Sequence, residues 1–423
     1  MARNDRVLLI AIVAAALLVF VATLARQTGV PKTSTIWAED GSVFLQCAYD
    51  RSFLDCLVTP YQGYLQLLPR LGGAIASLAP PAQSPLALGW LAALSAAAAA
   101  AAITRAVASA TGSVLAGIVG STGLGLVWQA GREVLGNLAN AHWILLTAAV
   151  VVLVCGWIGR RMDRADAALV AFAGLSSGLA PLLAVVALPN VVLRRPGART
   201  ILLVAVGAAL IQGVTAIATP REAPGSTPRG LADVASAFDA LVVRQGFFGD
   251  LRTPPGWAVF GAIALLAVIA AAASGRQWRK AAPGLAVVAA LVGIGVLVFG
   301  ASIVLNRTVN PRYAYVPAAL AVAALAVAAG VASRRLATGG EPVKSRRIAA
   351  AALVPALAVF LAIGFARSFR LEARASSGPD VSQELATAET ACTPGSSSVT
   401  ITISPHPATN LWEVRVPCER LAR

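Results

Sequence analysis

Long uncharged apolar blocks constrain this chain more than any other feature of its sequence. The blocks 7–25, 201–218 and 348–366 each hold about 18 to 20 residues, enough for a helix to cross roughly 30 Å of hydrocarbon. The whole chain is 57% hydrophobic and only 13% charged, whereas about 25% of the residues in an ordinary soluble domain are charged. The sequence therefore predicts membrane-spanning helices rather than the core helices of a soluble protein.

We predict an all-α polytopic membrane domain over residues 1–368, with about eleven spans. The expected spans lie close to 7–25, 84–104, 113–130, 140–158, 166–176, 179–193, 200–218, 256–274, 282–304, 313–333 and 348–368. The fifth and sixth are short, and we expect them to form a hairpin around Ser176, Ser177 and Gly178 rather than two ideal crossings. The first block lacks a convincing cleavage site, so we interpret it as a retained signal anchor.

The distribution of charge predicts how these spans are oriented. The formal net charge is +15, which in a soluble protein would suggest a nucleic-acid partner. With the N-terminus in the cytoplasm, the short cytoplasmic segments hold half of the basic residues and few of the acidic ones, which agrees with the positive-inside rule. The topology thus accounts for the net positive charge without a nucleic-acid partner. With an odd number of spans, it also places the C-terminus outside. Richness in alanine, valine and arginine indicates a bacterial cytoplasmic membrane.

Three segments are too long to be simple turns, and all are expected outside. They are the first outer loop (26–83), the second outer loop (219–255) and the C-terminal tail (369–423). Within the first loop, residues 64–79 carry leucines at helical spacing, interrupted by proline and glycine, as is typical of an interfacial helix. The second loop contains an amphipathic stretch at 231–243.

Four of the five cysteines fall in these outer segments. Cys47 and Cys56 lie in the first outer loop, and Cys392 and Cys418 lie in the tail. Disulfides persist in oxidising compartments, so we expect each pair to be bonded. Cys155 lies alone within a span and is expected to be a small buried apolar residue.

The tail also carries the pattern of a β-hairpin. Residues 399–403 and 412–416 alternate between apolar and polar side chains with a period of two. A tail of about 55 residues could hardly fold alone without a covalent staple, which the tail disulfide would supply. The expected fold class is therefore a helical membrane protein with a small disulfide-stapled, β-containing tail.

An acidic pair follows the first span by about a dozen residues. Glu39 and Asp40 are adjacent there, within the stretch Trp37-Ala-Glu-Asp-Gly-Ser-Val-Phe44. The simplest interpretation is a surface helix with Asp40 as its cap. However, other polar residues gather at the same face while the spans are almost free of charge, and this grouping indicates a site. The gathered residues are Tyr61, Tyr64, Arg70, Arg132, Glu133, Asn137, Asn140, His142, Trp143, Asn306, Arg307, Asn310, Arg312, Tyr313 and Tyr315.

The arginines of this group suit a phosphate. A guanidinium offers a planar fork of donors and stays charged at any working pH, so Arg307 and Arg312 are candidates for binding phosphate, with Arg70 as a third. The alternative is that they anchor the chain at the membrane boundary. His142 taken alone is expected to be a hydrogen-bonded structural histidine. No metal-ligand spacing or Walker A loop occurs, and a divalent cation stays an open alternative.

An acidic pair after the first span, a surface-helix loop, many spans and an Arg-Tyr motif at a later outer loop resemble the polyprenyl-phosphate-dependent glycosyltransferases of the GT-C fold. The resemblance implies that a first-loop acid is the catalytic base and that the sugar donor is a lipid-linked phosphosugar. It makes Asp40 the favoured base and Glu39 its neighbour or a metal contact. The chain has no D-x-D at this place and no large outer domain, which leaves metal dependence and the acceptor open.

The function expected on these grounds is an inverting sugar transfer at the outer face of the membrane. Asp40 would remove the proton of the acceptor hydroxyl, and Arg307 or Arg312 would stabilise the departing lipid phosphate. The expected partners are membrane lipid, a polyprenyl-phosphate sugar donor and a glycan or glycolipid acceptor of the cell envelope.

Two alternatives remain at this point. One is a transporter or flippase, for which Pro181, Pro189 and Gln212 are weak midplane candidates. The other is a scaffold without enzymatic activity, which would leave the acids and arginines without a purpose.

Overall fold

The computed structural model describes residues 3–128, 130–220, 230–247, 255–274, 279–338, 344–405 and 412–421. Much of the second outer loop expected at 219–255 therefore lies outside the described residues. In chain order the helices are α1 (Arg3–Ala25), α2 (Gln46–Asp50), α3 (Phe53–Val58), α4 (Leu67–Ala76), α5 (Ser84–Thr111), α6 (Val114–Leu126), α7 (Ala141–Gly156), α8 (Arg164–Ser176), α9 (Ala180–Val192), α10 (Ala198–Ala218), α11 (Leu231–Phe238), α12 (Pro255–Ser274), α13 (Ala282–Asn306), α14 (Tyr315–Thr338), α15 (Lys344–Arg367), α16 (Val381–Glu389) and α17 (Cys418–Leu421).

The architecture is that of a multi-pass membrane protein, as predicted. Within the described part of the chain, seven helices are long and apolar enough to cross a membrane: α1, α5, α10, α12, α13, α14 and α15. The other four expected spans are the shorter helices α6, α7, α8 and α9, of 13 to 16 residues. A helix of 13 residues rises only about 20 Å, so these four are embedded among longer neighbours rather than matched to the full hydrocarbon thickness.

The centre of the bundle is formed by α7 and α14. Every residue of α7 is buried, and so are residues 315–332 of α14. Both helices are rich in alanine and valine, and small side chains let neighbouring helix backbones approach closely in a membrane. α14 packs against α6, α12, α13 and α15. The expected hairpin near Ser177 is formed by α8 and α9, which pack against α10.

Arg26 ties several helix ends together at one face of the bundle. Its guanidinium is 1% exposed and donates hydrogen bonds to the carbonyls of Gly125 and Val127, at the end of α6, at 2.6 and 3.0 Å. It also donates to the carbonyls of Ser368 and Phe369, after α15, at 3.1 Å each. These carbonyls are among the acceptors that a helix end leaves unpaired. We call this face of the bundle the loop face.

The C-terminal tail is a small α/β unit stapled by a disulfide, as predicted. Strands β1 (Ser398–Ile403) and β2 (Trp412–Pro417) are antiparallel, with Val399 opposite Val416. A disulfide joins Cys392 to Cys418. In the first outer loop a second disulfide joins Cys47 to Cys56, and Cys155 is buried in α7 as a free thiol.

The tail packs on the first outer loop rather than standing apart. The backbone N–H of Ser404 donates to the carbonyl of Ile36 at 2.9 Å. The N–H of Arg415 donates to the side chain of Gln46 at 2.7 Å. We call residues 27–83, 369–405 and 412–421 together the cap, because these segments cover the loop face.

Candidate active site

The acidic pair sits in a tightly packed part of the cap. After buried Trp37 and Ala38, residues Asp40–Leu45 form a π-helical turn. A Cβ on Gly41 would lie 2.3 Å from Ile403 of β1, and one on Gly73 of α4 would lie 2.6 Å from the carbonyl group of Phe44. The turn is thus held between the tail hairpin on one side and α4 on the other, and only glycine fits at these two contacts.

Beside this turn lies a cavity of about 450 Å³ at the loop face. Its lining combines the first outer loop, the start of α7, the hairpin between α8 and α9, and the ends of α10 and α13. The lining residues are Glu39, Tyr61, Gln62, Gly63, Tyr64, Gln66, Ala139, Asn140, His142, Trp143, Ser177, Gly178, Leu179, Gln212, Ala216, Ser302, Leu305, Asn306, Arg312 and Tyr313. Residues far apart in sequence therefore converge on one space.

The two adjacent acids have different surroundings. Glu39 is half-buried and lines the cavity. Asp40 is 2% exposed and lies outside the lining, where its two oxygens accept hydrogen bonds from the backbone N–H groups of Leu138 and Ala139 at 2.9 and 2.7 Å. Burial raises the pKa of Asp40 to about 7, against the opposing effect of these hydrogen bonds. Asp40 thus anchors the turn before α7 instead of facing the cavity.

The three candidate arginines also lie in different places. Only Arg312 lines the cavity, and its Nη1 lies 3.1 Å from Oε1 of Glu133. Arg307 ends α13 in the left-handed conformation, with φ of 50°, and its side chain is exposed. Arg70 is buried in α4 with its guanidinium carbon 5.1 Å from the Phe44 ring centroid, and burial lowers its pKa to about 10.

A row of aromatic side chains forms one wall. The ring centroids of Tyr64 and His142 are 6.1 Å apart, those of His142 and Trp143 are 4.6 Å apart, and those of Trp143 and Tyr313 are 5.9 Å apart. The Nδ1 atom of His142 lies 2.8 Å from the carbonyl oxygen of Ala139. The wall therefore offers flat, polarisable faces next to the charged groups.

Two asparagines build the turn that leads into α7. The side chain of Asn137 donates to the carbonyl oxygen of Glu133, and its own oxygen accepts from the backbone N–H of Asn140 at 2.9 Å. Asn140 lines the cavity, whereas Asn137 lies behind it. Asn137 thus shapes the site without facing it.

Several lining residues escaped the sequence analysis. Gln66 and Ser302 carry no pattern that marks them. Gln212 is a polar residue in an apolar span, which is a signal, but it was interpreted as a transport candidate. Its Oε1 accepts from the backbone N–H of Leu65 at 2.9 Å, and its Nε2 donates to the carbonyl of Gly174 at 2.9 Å. Gln212 therefore fixes the first outer loop against α8.

Mg²⁺ and Ca²⁺ take six or more oxygen ligands, and the carboxylates near the cavity do not supply such a set. Asp40 already binds two amides and Glu133 binds two arginines, so of these carboxylates Glu39 alone faces the space. Among the described residues no group of three or more His, Cys, Asp or Glu is placed to hold a metal ion.

One wall of the cavity is bordered by exposed apolar side chains. Ala216 of α10 and Leu305 of α13 line it, and neighbouring apolar side chains on these helix ends point outward. Ile217 is 85% exposed and Val304 is 57% exposed. In a membrane, exposed apolar surfaces of this kind are suited to contact with hydrocarbon.

No protein-family model matches this sequence. A search of curated proteins also gave no significant match. Among solved structures, the chain is similar to the archaeal oligosaccharyltransferase AglB from Archaeoglobus fulgidus in complex with an inhibitory peptide and a dolichol-phosphate, with a TM-score of 0.50 and 16% identity over 93% of this chain and 59% of that one. A structure of the Archaeoglobus fulgidus enzyme tethered to an acceptor peptide gives a TM-score of 0.49 and 15% identity over 90% and 57%.

The chain thus spans less than two thirds of the length of these enzymes. A similarity at this low sequence identity shows the fold, and the activity must be argued from the residues of the site. The similarity to the first of these structures agrees with the fold expected from the acidic pair and the later Arg-Tyr motif. This chain is a multi-pass membrane protein whose fold is GT-C-like.

Proposed function

We propose that this protein is a membrane glycosyltransferase that takes its sugar from a lipid-linked, polyprenyl-phosphate donor. The observation that carries the proposal is the pairing of Glu39 and Arg312 on one cavity whose side wall is bordered by exposed apolar side chains. A general base and a phosphate-binding cation are the two groups that sugar transfer from a lipid phosphate needs. The similar oligosaccharyltransferase was solved with a dolichol-phosphate, which agrees with this donor class.

Glu39 is the proposed base, in place of the Asp40 favoured by the sequence. It would accept the proton of an acceptor hydroxyl as that oxygen forms a bond to the anomeric carbon of the sugar. The bond between this carbon and the phosphate oxygen breaks, and the phosphate leaves with both electrons. Arg312 would stabilise the charge on that phosphate through charge-assisted hydrogen bonds. Attack opposite to the leaving group inverts the anomeric carbon.

The loop face is the proposed outer face of a bacterial cytoplasmic membrane, with the N-terminus in the cytoplasm and the tail outside. Both disulfides lie in the cap, as an oxidising compartment favours. Because nucleotide sugars are cytoplasmic, transfer at the outer face needs a donor delivered by lipid. The proposed acceptor is a glycan or glycolipid of the cell envelope.

The contacts of Gln212 bear on the alternative of a transporter or flippase. Transporters place polar and helix-breaking residues at a site near the midplane. Here the side-chain amide of Gln212 is bound to the backbone of Leu65 and Gly174. This residue therefore has a structural role that accounts for its position, and we favour transfer over transport.

The test compares three carboxylate variants of the purified protein in lipid. We expect Glu39→Gln to lower kcat for transfer from a lipid phosphosugar by roughly a hundredfold or more, because glutamine cannot accept the proton. The matched control is Glu413→Gln, on the exposed face of β2, which should retain full activity. Asp40→Asn should retain far more activity than Glu39→Gln.

Transfer by Glu39→Gln at the wild-type rate would remove Glu39 from the mechanism. If the wild type transfers sugar from no lipid phosphosugar, the proposed function as a whole is wrong.

A further inference from the structure

One carboxylate behind the cavity lining is shared by two arginines. Glu133 has a side chain that is 6% exposed, and its two oxygens bind different partners. Oε1 lies 3.1 Å from Nη1 of Arg312, the cavity arginine. Oε2 lies 3.3 Å from Nη1 of Arg374, which belongs to the segment between α15 and α16. The tail thus reaches the charged group that holds Arg312.

The charge balance of this cluster explains why a second arginine matters. Arg312 paired with Glu133 alone would form a neutral ion pair, which has little attraction left for an anionic ligand. With Arg374 on the other oxygen, two positive charges share the negative charge of Glu133, and one positive charge remains in excess within this group of three. Lys32 and Asp40 are buried nearby, and the amine of Lys32 is attracted by the carboxylates of both Asp40 and Glu133. The cavity carboxylate of Glu39 also attracts Arg312.

Arg374 also contacts the segment that carries Glu39. Its guanidinium carbon lies 5.9 Å from the ring centroid of Trp37, two residues before Glu39. Its backbone N–H donates to the carbonyl oxygen of Arg132 at 3.1 Å, next to Glu133. One tail residue therefore touches both segments that supply charge to the cavity.

The segment around Arg374 is itself held in place by the cap. The backbone N–H of Ala373 donates to the hydroxyl of Ser376 at 2.8 Å, and the N–H of Thr28 donates to the carbonyl of Leu371 at 3.1 Å. A long side chain on an anchored backbone loses less freedom when it binds.

We propose that Arg374 is a positioning residue of the phosphate site: it holds Glu133 so that Arg312 stays at the cavity, and it keeps this cluster positively charged. The C-terminal tail thereby completes the site for an anionic lipid head group. This inference rests on the proposed function, because it assigns the lipid phosphate of the donor as the anion that Arg312 binds.

The test uses the full chain in lipid nanodiscs, with binding of a short-chain polyprenyl phosphate and the KM for a lipid phosphosugar as separate readouts. Arg374→Gln should weaken phosphate binding and raise the donor KM by about two- to fivefold, the effect of losing one half-exposed charge interaction, with a smaller effect on kcat. The matched control is Arg415→Gln. Arg415 is another tail arginine in an ion pair, with Asp50 at 3.2 Å, and this pair includes neither Glu133 nor Arg312.

A charge rescue separates this role from a merely structural one. Glu133→Gln combined with Arg374→Gln restores the positive charge of Arg312, so the double variant should bind the phosphate more tightly than Arg374→Gln does. If the two arginines and Glu133 only hold the cap together, the double variant should be worse than the single one.

The outcomes distinguish the two proposals. Wild-type binding of polyprenyl phosphate with no loss in Arg374→Gln, or with no rescue in the double variant, overturns the role of Arg374 and leaves the proposed function standing. Failure of the wild type to bind polyprenyl phosphate overturns both.

Discussion

At the residue scale, Glu39 and Asp40 show how neighbouring side chains of the same chemical type acquire different roles. Asp40 is buried against two backbone amides, whereas Glu39 faces the cavity. Adjacent residues of a helical turn point in directions about 100° apart, so the two carboxylates of such a pair can have different surroundings.

The burial of Asp40 predicts a pH dependence of stability. Burial raises its pKa to about 7, above the value of about 3.9 in an unfolded chain. Its folded form therefore binds a proton that the unfolded chain has lost, and this contribution is complete below about pH 4 and is lost as the pH rises through about 7. We expect the unfolding temperature of the wild type to fall across this window more steeply than that of Asp40→Asn.

Scanning calorimetry or intrinsic fluorescence against pH measures this difference. The buried amine of Lys32 does not interfere, because burial lowers its pKa from 10.5 to about 8, so its contribution to stability changes with pH only between these two values. Parallel pH profiles for the wild type and Asp40→Asn would contradict the prediction.

At the scale of single elements, α4 approaches the π-helical turn so closely that alanine substitutions at different glycines should differ in their effect on stability. A Cβ on Gly73 would lie 2.6 Å from backbone atoms of Phe44, which cannot move aside as a flexible side chain can. We expect Gly73→Ala to lower the free energy of unfolding by about 1–3 kcal/mol and to reduce transfer activity, because the turn carries Glu39.

Gly207 of α10 is the matched control for this substitution. Nothing lies within 4 Å of a Cβ at this position, so Gly207→Ala should be neutral or stabilise the helix by up to about 1 kcal/mol. Thermal unfolding of both variants in the same detergent gives the comparison. Equal stability of the two would show that α4 and the turn are less tightly packed than the structure indicates.

The elements themselves were largely predictable from sequence, and the site was only partly so. The spans follow from the length of apolar blocks and the tail hairpin from its alternation, since both are local patterns. The direction of a side chain at an irregular turn is not local: Arg70 and Arg307 share the chemistry of Arg312, but only Arg312 lines the cavity. Arg374 carries no local signal, because its role depends on a tail that folds back on the first outer loop.

At the scale of the whole molecule, the cysteines report on the proposed orientation. In intact cells without reductant, a thiol reagent that cannot cross the membrane should label no cysteine, because four are bonded and Cys155 is buried in α7. After mild reduction we expect labelling of Cys392 and Cys418 from outside the cell. Mass spectrometry of labelled peptides measures both states.

The control for this experiment is a Cys392→Ser, Cys418→Ser double variant, which should lose the tail signal after reduction. Labelling of Cys392 or Cys418 only when the reagent has access to the cytoplasm would reverse the proposed orientation.

The four carbonyl groups that bind Arg26 become available at different times during synthesis. Gly125 and Val127 become available once the ribosome has delivered α6, but Ser368 and Phe369 exist only after α15 has been made. Two of the four hydrogen-bond acceptors of the Arg26 guanidinium, which follows the first span, are therefore absent until the last span has been made. We therefore expect α1 to stay within reach of α6 and of the segment after α15 until both have been made.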